Sequence, residues 1–346
     1  MSMSIPARAR PDACPGVFAT HDAADGALAR VRLPGGWVTA AQLEVLAGCA
    51  EDLGDGSAHL TSRGNVQLRG LGGDTGELVG RLSDAGLLPA PSHERVRNFL
   101  ASPLSGLAGG LVDVRPLVAR LDAAVCARPE LADLPGRFLF ALDDGRGDVA
   151  AEEPDVCWQA VDESSGVVLL AGRPGRRVPC GDAVEALVGE ALRFLEVRGT
   201  AWRIRELPEF ADVPPLPRPE PPRGFDGGMV LTPLFGVLTA ADLRLLGTDV
   251  VVTPWRSIVV PEYRPELLAL SSDSRVSACI GRPGCAKSLA DVRADARQMS
   301  GHAHFSGCAR RCGKPRDTVD VVAAEGGYLV EGVLVPVDVL LEKGSL

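Results

Sequence analysis

Val38-Thr39-Ala40-Ala41-Gln42-Leu43-Glu44-Val45-Leu46 returns 200 residues later as Leu238-Thr239-Ala240-Ala241-Asp242-Leu243-Arg244-Leu245-Leu246. In each copy a threonine precedes a helical pattern and Gln42 or Asp242 stands at the third helical position. There the hydroxyl accepts from the third amide while the longer side chain turns back to the cap. Leu43, Leu46, Ala47 and Ala50 then supply one apolar stripe. Each copy is soon followed by a Thr-containing strand carrying an arginine, Thr61-Ser62-Arg63 in the first and Thr253-Pro254-Trp255-Arg256 in the second. One nonapeptide match can arise by chance in an Ala/Leu-rich chain, but the matching strand behind it makes duplication the better explanation.

Between the copies lies a different segment, roughly 93–207, with strands expected over 138–142 and 167–171 and a helix over 182–198. Val184, Leu187, Val188, Ala191 and Leu195 form the buried face of that helix, Asp182 caps it and Gly199 ends it. Pro214-Pro215-Leu216-Pro217-Arg218-Pro219-Glu220-Pro221-Pro222 reads as a stiff extended linker, with a ligand for a proline-reading domain as the weaker alternative. A hairpin around Gly326-Gly327 closes a short final unit. The order small unit, large unit, small unit, cysteine unit describes a pseudo-twofold α+β protein.

Chemistry concentrates in the last unit. Cys279-x5-Cys285 and Cys308-x3-Cys312 are separated by 22 residues. Thiolate is the soft ligand that an iron-sulfide cubane takes at each iron. Structural zinc sites place paired cysteines two to four apart around a single ion, so the wider first gap favours a cluster, with zinc the alternative. Leu289, Val292, Ala296 and Met299 predict a helix over 286–299 that opens directly after Cys285, its positive end toward the cluster. Gly281, Gly284, Gly307 and Gly313 flank the ligands, where the backbone must turn sharply. The remaining cysteines, Cys14, Cys49, Cys126, Cys157 and Cys180, are scattered singly and read as buried free thiols.

The bulk numbers narrow the class. A chain of 346 residues suffices for two or three domains with full cores. A net charge of -9, without any basic run interleaved with aromatics, argues against a nucleic-acid partner. No stretch approaches the ~18 apolar residues of a membrane span. Residues 1–11 carry arginines without an apolar segment behind them, unlike a signal peptide. An odd count of nine cysteines disfavours a disulfide framework, and thiols kept reduced for a cluster suit the cytoplasm.

Arg30-Val31-Arg32-Leu33-Pro34-Gly35-Gly36, His59-Leu60-Thr61-Ser62-Arg63-Gly64-Asn65-Val66-Gln67, Arg97-Asn98 and the cysteine set occur in an order covering nearly the whole chain. This set resembles the siroheme-type sulfite and nitrite reductases and, within them, the precorrin-3B synthases of aerobic cobalamin biosynthesis. The resemblance implies an α+β nitrite/sulfite reductase-like duplication: two ferredoxin-reductase-like half domains and two larger α+β lobes, the second shortened and carrying a 4Fe-4S cluster. The corresponding bounds are 10–90 and 225–272 for the half domains, 91–210 for the central lobe, 211–224 for the linker and 273–346 for the cluster domain.

The same resemblance places a tetrapyrrole against Arg30, His59, Arg63, Asn65 and Gln67, and a small anion at Arg97 and Arg137. Cys279, Cys285, Cys308 and Cys312 would hold the cluster, and Cys312 would bridge it to the tetrapyrrole iron where siroheme is bound. A uroporphyrin-derived ring bears carboxylates around its periphery, which guanidinium groups bind in bidentate fashion. One departure matters. Where the reductases carry Lys-x-Lys after Leu-Pro, this chain reads Leu134-Pro135-Gly136-Arg137-Phe138-Leu139, so an oxyanion would lose a cation and a proton donor. Ala13-Cys14-Pro15-Gly16 and His304-Phe305-Ser306-Gly307-Cys308 also resemble the precorrin branch.

The activity implied is a monooxygenase that hydroxylates precorrin-3A with dioxygen and closes a lactone, with electrons passing through the cluster. A fully thiolate-ligated cubane has no open site for dioxygen, so a mononuclear iron is implied, for which His302 and His304 are conceivable ligands. NADH is the ultimate reductant, and without a G-x-G-x-x-G after a strand it would act through a ferredoxin or flavoprotein reductase. The alternatives are a siroheme-dependent sulfite or nitrite reductase, and a non-catalytic cluster or zinc protein that binds a tetrapyrrole.

Overall fold

The computed structural model describes residue 12 and residues 14–346, so the readings made on residues 1–11 and on Ala13 lie outside the described residues. Both capping boxes form. Thr39 Oγ1 accepts from the Gln42 amide at 3.2 Å while Gln42 Oε1 accepts from the Thr39 amide at 3.1 Å. Thr239 and Asp242 repeat the exchange at 3.2 and 2.8 Å. The helices they start run Ala40–Leu53 and Ala240–Leu246, the second stopped at Gly247 by a left-handed φ of 55°. Leu43, Leu46, Ala47 and Ala50 face the core at 3% exposure or less, and each buried leucine contributes about 1.5–3 kcal/mol of apolar burial.

Each half builds a five-stranded antiparallel sheet, and each lends one strand to the other. The first sheet runs His21–Ala23, Gly26–Val31, Val66–Leu71, Ser57–Leu60, then Val237–Thr239 from the second half. The second runs Gly224–Phe225, Gly228–Leu231, Ile258–Val260, Val250–Val252, then Trp37–Val38 from the first. Val237 pairs with His59, and Val38 pairs with Val250. This reciprocal loan fuses the two halves around one apolar core that includes Leu46, Leu68, Leu238 and Leu246. Gly36 sits at φ 78°, and a Cβ there would lie 2.0 Å from the Val252 carbonyl oxygen, so the crossing admits only glycine.

The two larger lobes are also related, beyond what the nonapeptide repeat foretells. In the central lobe Phe99–Ala101, Phe140–Asp143 and Val156–Ala160 pair in parallel, then Ser165–Leu170 and Arg173–Pro179 return antiparallel. In the cysteine lobe Ser277–Ala278, Ala303–Ser306 and Val319–Ala324 pair in parallel, then Gly327–Val330 and Val333–Val335 return antiparallel. The fold is therefore α+β with duplicated ferredoxin-like sheets.

The central helix spans Ala183–Val197 with Val184, Leu187, Val188 and Ala191 buried, but Asp182 makes no side-chain cap bond. Its predicted neighbours appear as Phe140–Asp143 and Ser165–Leu170, residues 213–223 carry no regular structure, and Ala324 pairs with Gly327 across the final hairpin. The helix predicted over 286–299 is wrong in extent. Only Val292–Ala296 is α-helical, capped by Asp291, whose side chain accepts from the Ala294 amide. Residues after Cys285 turn instead, because the Leu289 amide bonds to the Gly307 carbonyl and Leu289 stays 49% exposed. A helix start next to Cys285 is thereby removed as a source of positive potential.

Candidate functional site

Strand register sets the first part of the site. Arg30 lies opposite Gln67, and Gln67 opposite His59. Ala29, Val31, Val66, Leu68, Ala58 and Leu60 are buried in the apolar core, so alternation sends Arg30, Arg32, Gln67, Arg69 and His59 to the other face. In the carboxamide orientation that satisfies both groups, Gln67 accepts from Arg30 Nε at 3.2 Å and Nη2 at 2.5 Å. His59 Nε2 lies 3.4 Å from Asp55 Oδ2, and burial holds the ring below its ordinary pKa against the pull of that carboxylate. His59 is therefore neutral at pH 7.

Burial also lowers Arg30, and it pushes Arg63 down to about 10, helped by Arg203 and opposed by Asp155. Arg63 donates to the Gly136 carbonyl at 3.4 Å and the Arg137 carbonyl at 2.9 Å, tying the first half domain to the segment that departs from Lys-x-Lys. Asn65 is structural at its oxygen, which accepts from the Leu33 amide at 2.9 Å, while its buried Nδ2 has no partner among the described residues. Arg32, two residues after Arg30, is the most buried arginine among the described residues at 2% exposure. Nη2 meets the Pro15 and Arg95 carbonyls at 3.3 Å each, Nε and Nη1 have no partner among the described residues, and burial lowers it to about 9.

The expected anion clamp is arranged differently. Arg97 makes a two-pronged pair with Asp122 at 2.7 and 2.7 Å and donates to the Leu87 carbonyl at 3.1 Å, so its guanidinium is committed to the protein. Arg137 is exposed and stacks over the Trp202 ring at 5.1 Å. Leu139 is 3% exposed and packs with Leu100, Ala141, Cys157 and Leu169. One of these positions is thus paired within the protein, one lies over an aromatic ring and one packs in an apolar cluster. His302 is exposed, whereas His304 is fully buried with Nδ1 2.8 Å from Ser277 Oγ. Burial, with Arg256 nearby, lowers His304 to about 4, opposed by a hydrogen bond to the backbone of Cys312.

All nine cysteines are free thiols; Cys49 and Cys157 are buried as expected, and Cys14, Cys126 and Cys180 are half-buried. Cys279 and Cys308 follow the carboxyl ends of the parallel strands Ser277–Ala278 and Ala303–Ser306, the edge at which open α/β sheets bind ligands. The Gly307 amide donates to Cys279 Sγ at 3.1 Å. Burial raises the Cys312 thiol first, then the thiols of Cys279, Cys308 and Cys285 around it raise it further. A Cβ at Gly307 would lie 1.9 Å from Ser288 Oγ, and one at Gly281 2.8 Å from Val292 Cγ2, so the loops close tightly over these cysteines. Arg69 ties them to the first sheet: it pairs with Asp25 at 2.9 and 2.9 Å and donates to the Gly284 carbonyl, beside Cys285, at 3.0 Å.

Lobe duplication places a second constellation at the equivalent edge. Ser102 stands where Cys279 does: its amide bonds to the Leu142 carbonyl as that of Cys279 bonds to Phe305, and its Oγ accepts from the Asp144 amide at 3.1 Å. Beside it Asp143, Asp144 and Asp148 are buried with ligand oxygens within 4.8 Å of one another, a geometry able to hold one metal ion. Four backbone amides, those of Gly145, Gly147, Val149 and Ala150, already donate to Asp143. Burial and then Asp143 raise Asp148 to about 7.

With this geometry in place, likeness to known proteins can be weighed. Residues 21–83 match the nitrite/sulfite reductase ferredoxin-like half domain. A precorrin-3B synthase from Sinorhizobium sp is 26% identical over 92% of this chain and 82% of its own. A ferredoxin-nitrite reductase from Leptolyngbya laminosa is 36% identical over 37% of this chain, a match spanning only 27% of that enzyme. The solved structure of the Mycobacterium tuberculosis NirA protein superposes with a TM-score of 0.63 at 20% identity, covering 88% of this chain and 73% of that one. At that identity the last likeness concerns the fold.

Proposed function

We propose that this chain, whose residues 21–83 match the nitrite/sulfite reductase ferredoxin-like half domain, is an iron-sulfur oxidoreductase holding a polycarboxylated tetrapyrrole between its first sheet and its cysteine lobe. The observation that carries this reading is the row Arg30, Gln67, His59, with the buried guanidinium groups of Arg32 and Arg63 beside Arg30 and with His59 within electrostatic reach of Arg69 and Arg293, which donate to the Gly284 and Cys279 carbonyls. Donors on Arg32 and Asn65 that have no partner among the described residues fit a ligand rich in carboxylate, because buried cationic and amide donors without partners cost several kcal/mol unless an acceptor arrives. Three thiols that act electrostatically on the fourth, Cys312, and the tight packing at Gly281 and Gly307 fit a 4Fe-4S cluster on Cys279, Cys285, Cys308 and Cys312. When bound, the cluster supplies single-electron transfer. The residues of the chain bind and orient: Arg30, Arg32 and Arg63 pair with ring carboxylates, and neutral His59 offers a hydrogen bond without adding charge.

Within that class, the finer reading is a precorrin-3B synthase-like monooxygenase. The tetrapyrrole is then the substrate, dioxygen the oxidant, and NADH the electron source through a separate reductase. Its support is the missing oxyanion cage, with Arg97 committed to Asp122 and Leu139 packed in the core, together with the Sinorhizobium relative matched over most of both chains. A siroheme-dependent sulfite or nitrite reductase is the second reading. The half-domain match and the nitrite reductase relative weigh toward it. In that case the tetrapyrrole is a resident cofactor.

One experiment separates them. Protein purified without oxygen is examined by visible absorption, then supplied with precorrin-3A, a reduced ferredoxin and either dioxygen or none. Oxygen-dependent consumption of precorrin-3A by protein lacking siroheme bands supports the first reading. Strong siroheme bands and reduction of sulfite or nitrite replace it with the second. Zinc in place of iron, with neither turnover, leaves a non-catalytic binding protein and defeats both.

A further inference from the structure

Three arginines donate to backbone carbonyls beside cysteines. Arg69, on the first sheet, reaches the Gly284 carbonyl next to Cys285 at 3.0 Å. Arg256, from the turn that precedes Ile258–Val260 in the second half, reaches the Gly313 carbonyl next to Cys312 at 2.9 Å. Arg293, on the short helix Val292–Ala296, reaches the carbonyl of Cys279 itself at 3.2 Å. Their charges are handled unequally. Asp25 neutralises Arg69 in a two-pronged pair, whereas neither Arg256 nor Arg293 has a carboxylate partner among the described residues. Arg293 instead lies over the Phe235 ring at 5.8 Å, sharing it with Arg297 at 5.4 Å.

Both are partly withdrawn from water. Arg256 and Arg293 are each half-buried. The backbone points the same way. Thr61 and Asn65 close the first-half turn as Thr253 and Ser257 close the second, and Arg256 occupies the left-handed position, φ 57°, that Gly64 holds at φ 62° in the first half. A side chain there costs on the order of 1–2 kcal/mol relative to glycine. Such strain at a position with a packed, unneutralised cation is a sign of use.

We propose that Arg256 and Arg293 are positioning residues: they close the two cysteine loops, and their unneutralised charges raise the reduction potential of the cluster those loops carry. This rests on the iron-sulfur reading above. Adding an electron makes a thiolate-ligated cluster more negative, and a fixed cation in a partly dry surrounding favours that form over the oxidised one.

The test uses the full chain, reconstituted with ferrous iron and sulfide without oxygen, and follows reduction by electron paramagnetic resonance during a potentiometric titration. Wild type is compared with Arg256→Gln, Arg293→Gln and the charge-keeping Arg256→Lys and Arg293→Lys. Each glutamine variant is expected to bind wild-type iron and sulfide and titrate at a more negative potential, with the lysine variants close to wild type. Glutamine variants that fail to take up iron, while the lysine variants take it up normally, also support the proposal through the loop-closing role. Loaded glutamine variants with the wild-type potential would overturn it, as would lysine variants shifted as far as the glutamine ones. Wild type that takes up no iron defeats the iron-sulfur reading itself, and the proposal falls with it.

Discussion

Replacing Asp122 by alanine tests whether Arg97 is a tie within the protein or a clamp for an external anion. Arg97 has a side-chain exposure of 4% and meets Asp122, at 19%, through two contacts of 2.7 Å. Removing one partner of a buried pair leaves an uncompensated charge and costs about 3–5 kcal/mol. The carboxylate is partly wet and the Leu87 carbonyl still accepts from Nη1 at 3.1 Å, so about 3 kcal/mol is the expected loss. That is roughly a hundredfold change in the unfolding equilibrium of the central lobe. Urea unfolding followed by tryptophan fluorescence reads it, since Trp158 is fully buried in that lobe. Arg97→Met should cost a similar amount, and Arg97→Met with Asp122→Leu less than the sum, with a coupling of roughly 1–3 kcal/mol. If Arg97→Met changed stability by less than about 1 kcal/mol, the scale of a surface pair, yet abolished sulfite or nitrite binding, Arg97 would be a clamp and the reasoning wrong.

Other expectations follow from single contacts. Gly307→Ala puts a Cβ 1.9 Å from Ser288 Oγ and 2.6 Å from Ser288 Cβ and should cost about 1–3 kcal/mol in thermal or urea unfolding, little of it recovered by adding Ser288→Ala, which keeps the Cβ contact. Asp148, raised to about 7 from an unfolded value of about 3.9, contributes stability that is complete below pH ~4 and is lost as the pH rises through about 7. Asp148→Asn should therefore equal wild type near pH 4 and exceed it at pH 8 by up to a few kcal/mol, and a flat difference across that range would refute the assignment. Asp25→Asn strips Arg69 of its neutralising partner and should loosen the Gly284 carbonyl contact. Faster loss of iron to a chelator is the expected readout, and an unchanged rate would place that pair outside the cysteine loops' support.

How far the sequence reveals this molecule depends on the range of the forces involved. The capping boxes at Thr39 and Thr239 are local, so the duplicated helices are legible from a few residues each. Pairing the repeats by their arginines is off by one residue. The turns align Gly64 with Arg256, because the constraint is a left-handed backbone rather than a side-chain type. The spacing of Leu289, Val292, Ala296 and Met299 suits a helix, but the long-range Leu289–Gly307 hydrogen bond takes the first of these residues out of it. Arg97 is conspicuous in a motif, whereas Asp122, which fixes it, lies 25 residues downstream in a helix with no signal of its own. The duplication of the larger lobes is visible only in strand pairing, since Ser102 and Cys279 share a place and a hydrogen bond but no sequence context. Arg32 could have been found: alternation along the strand already sends it to the face of Arg30.

The most direct test is the metal itself. Protein isolated without oxygen is assayed for iron, zinc and acid-labile sulfide alongside variants replacing Cys279, Cys285, Cys308 or Cys312 by alanine. Iron and sulfide in equal amounts in wild type, lost in each of the four variants and retained when Cys49 or Cys126 is replaced, is the predicted result. Zinc without sulfide, or iron that survives removal of these cysteines, would contradict the account.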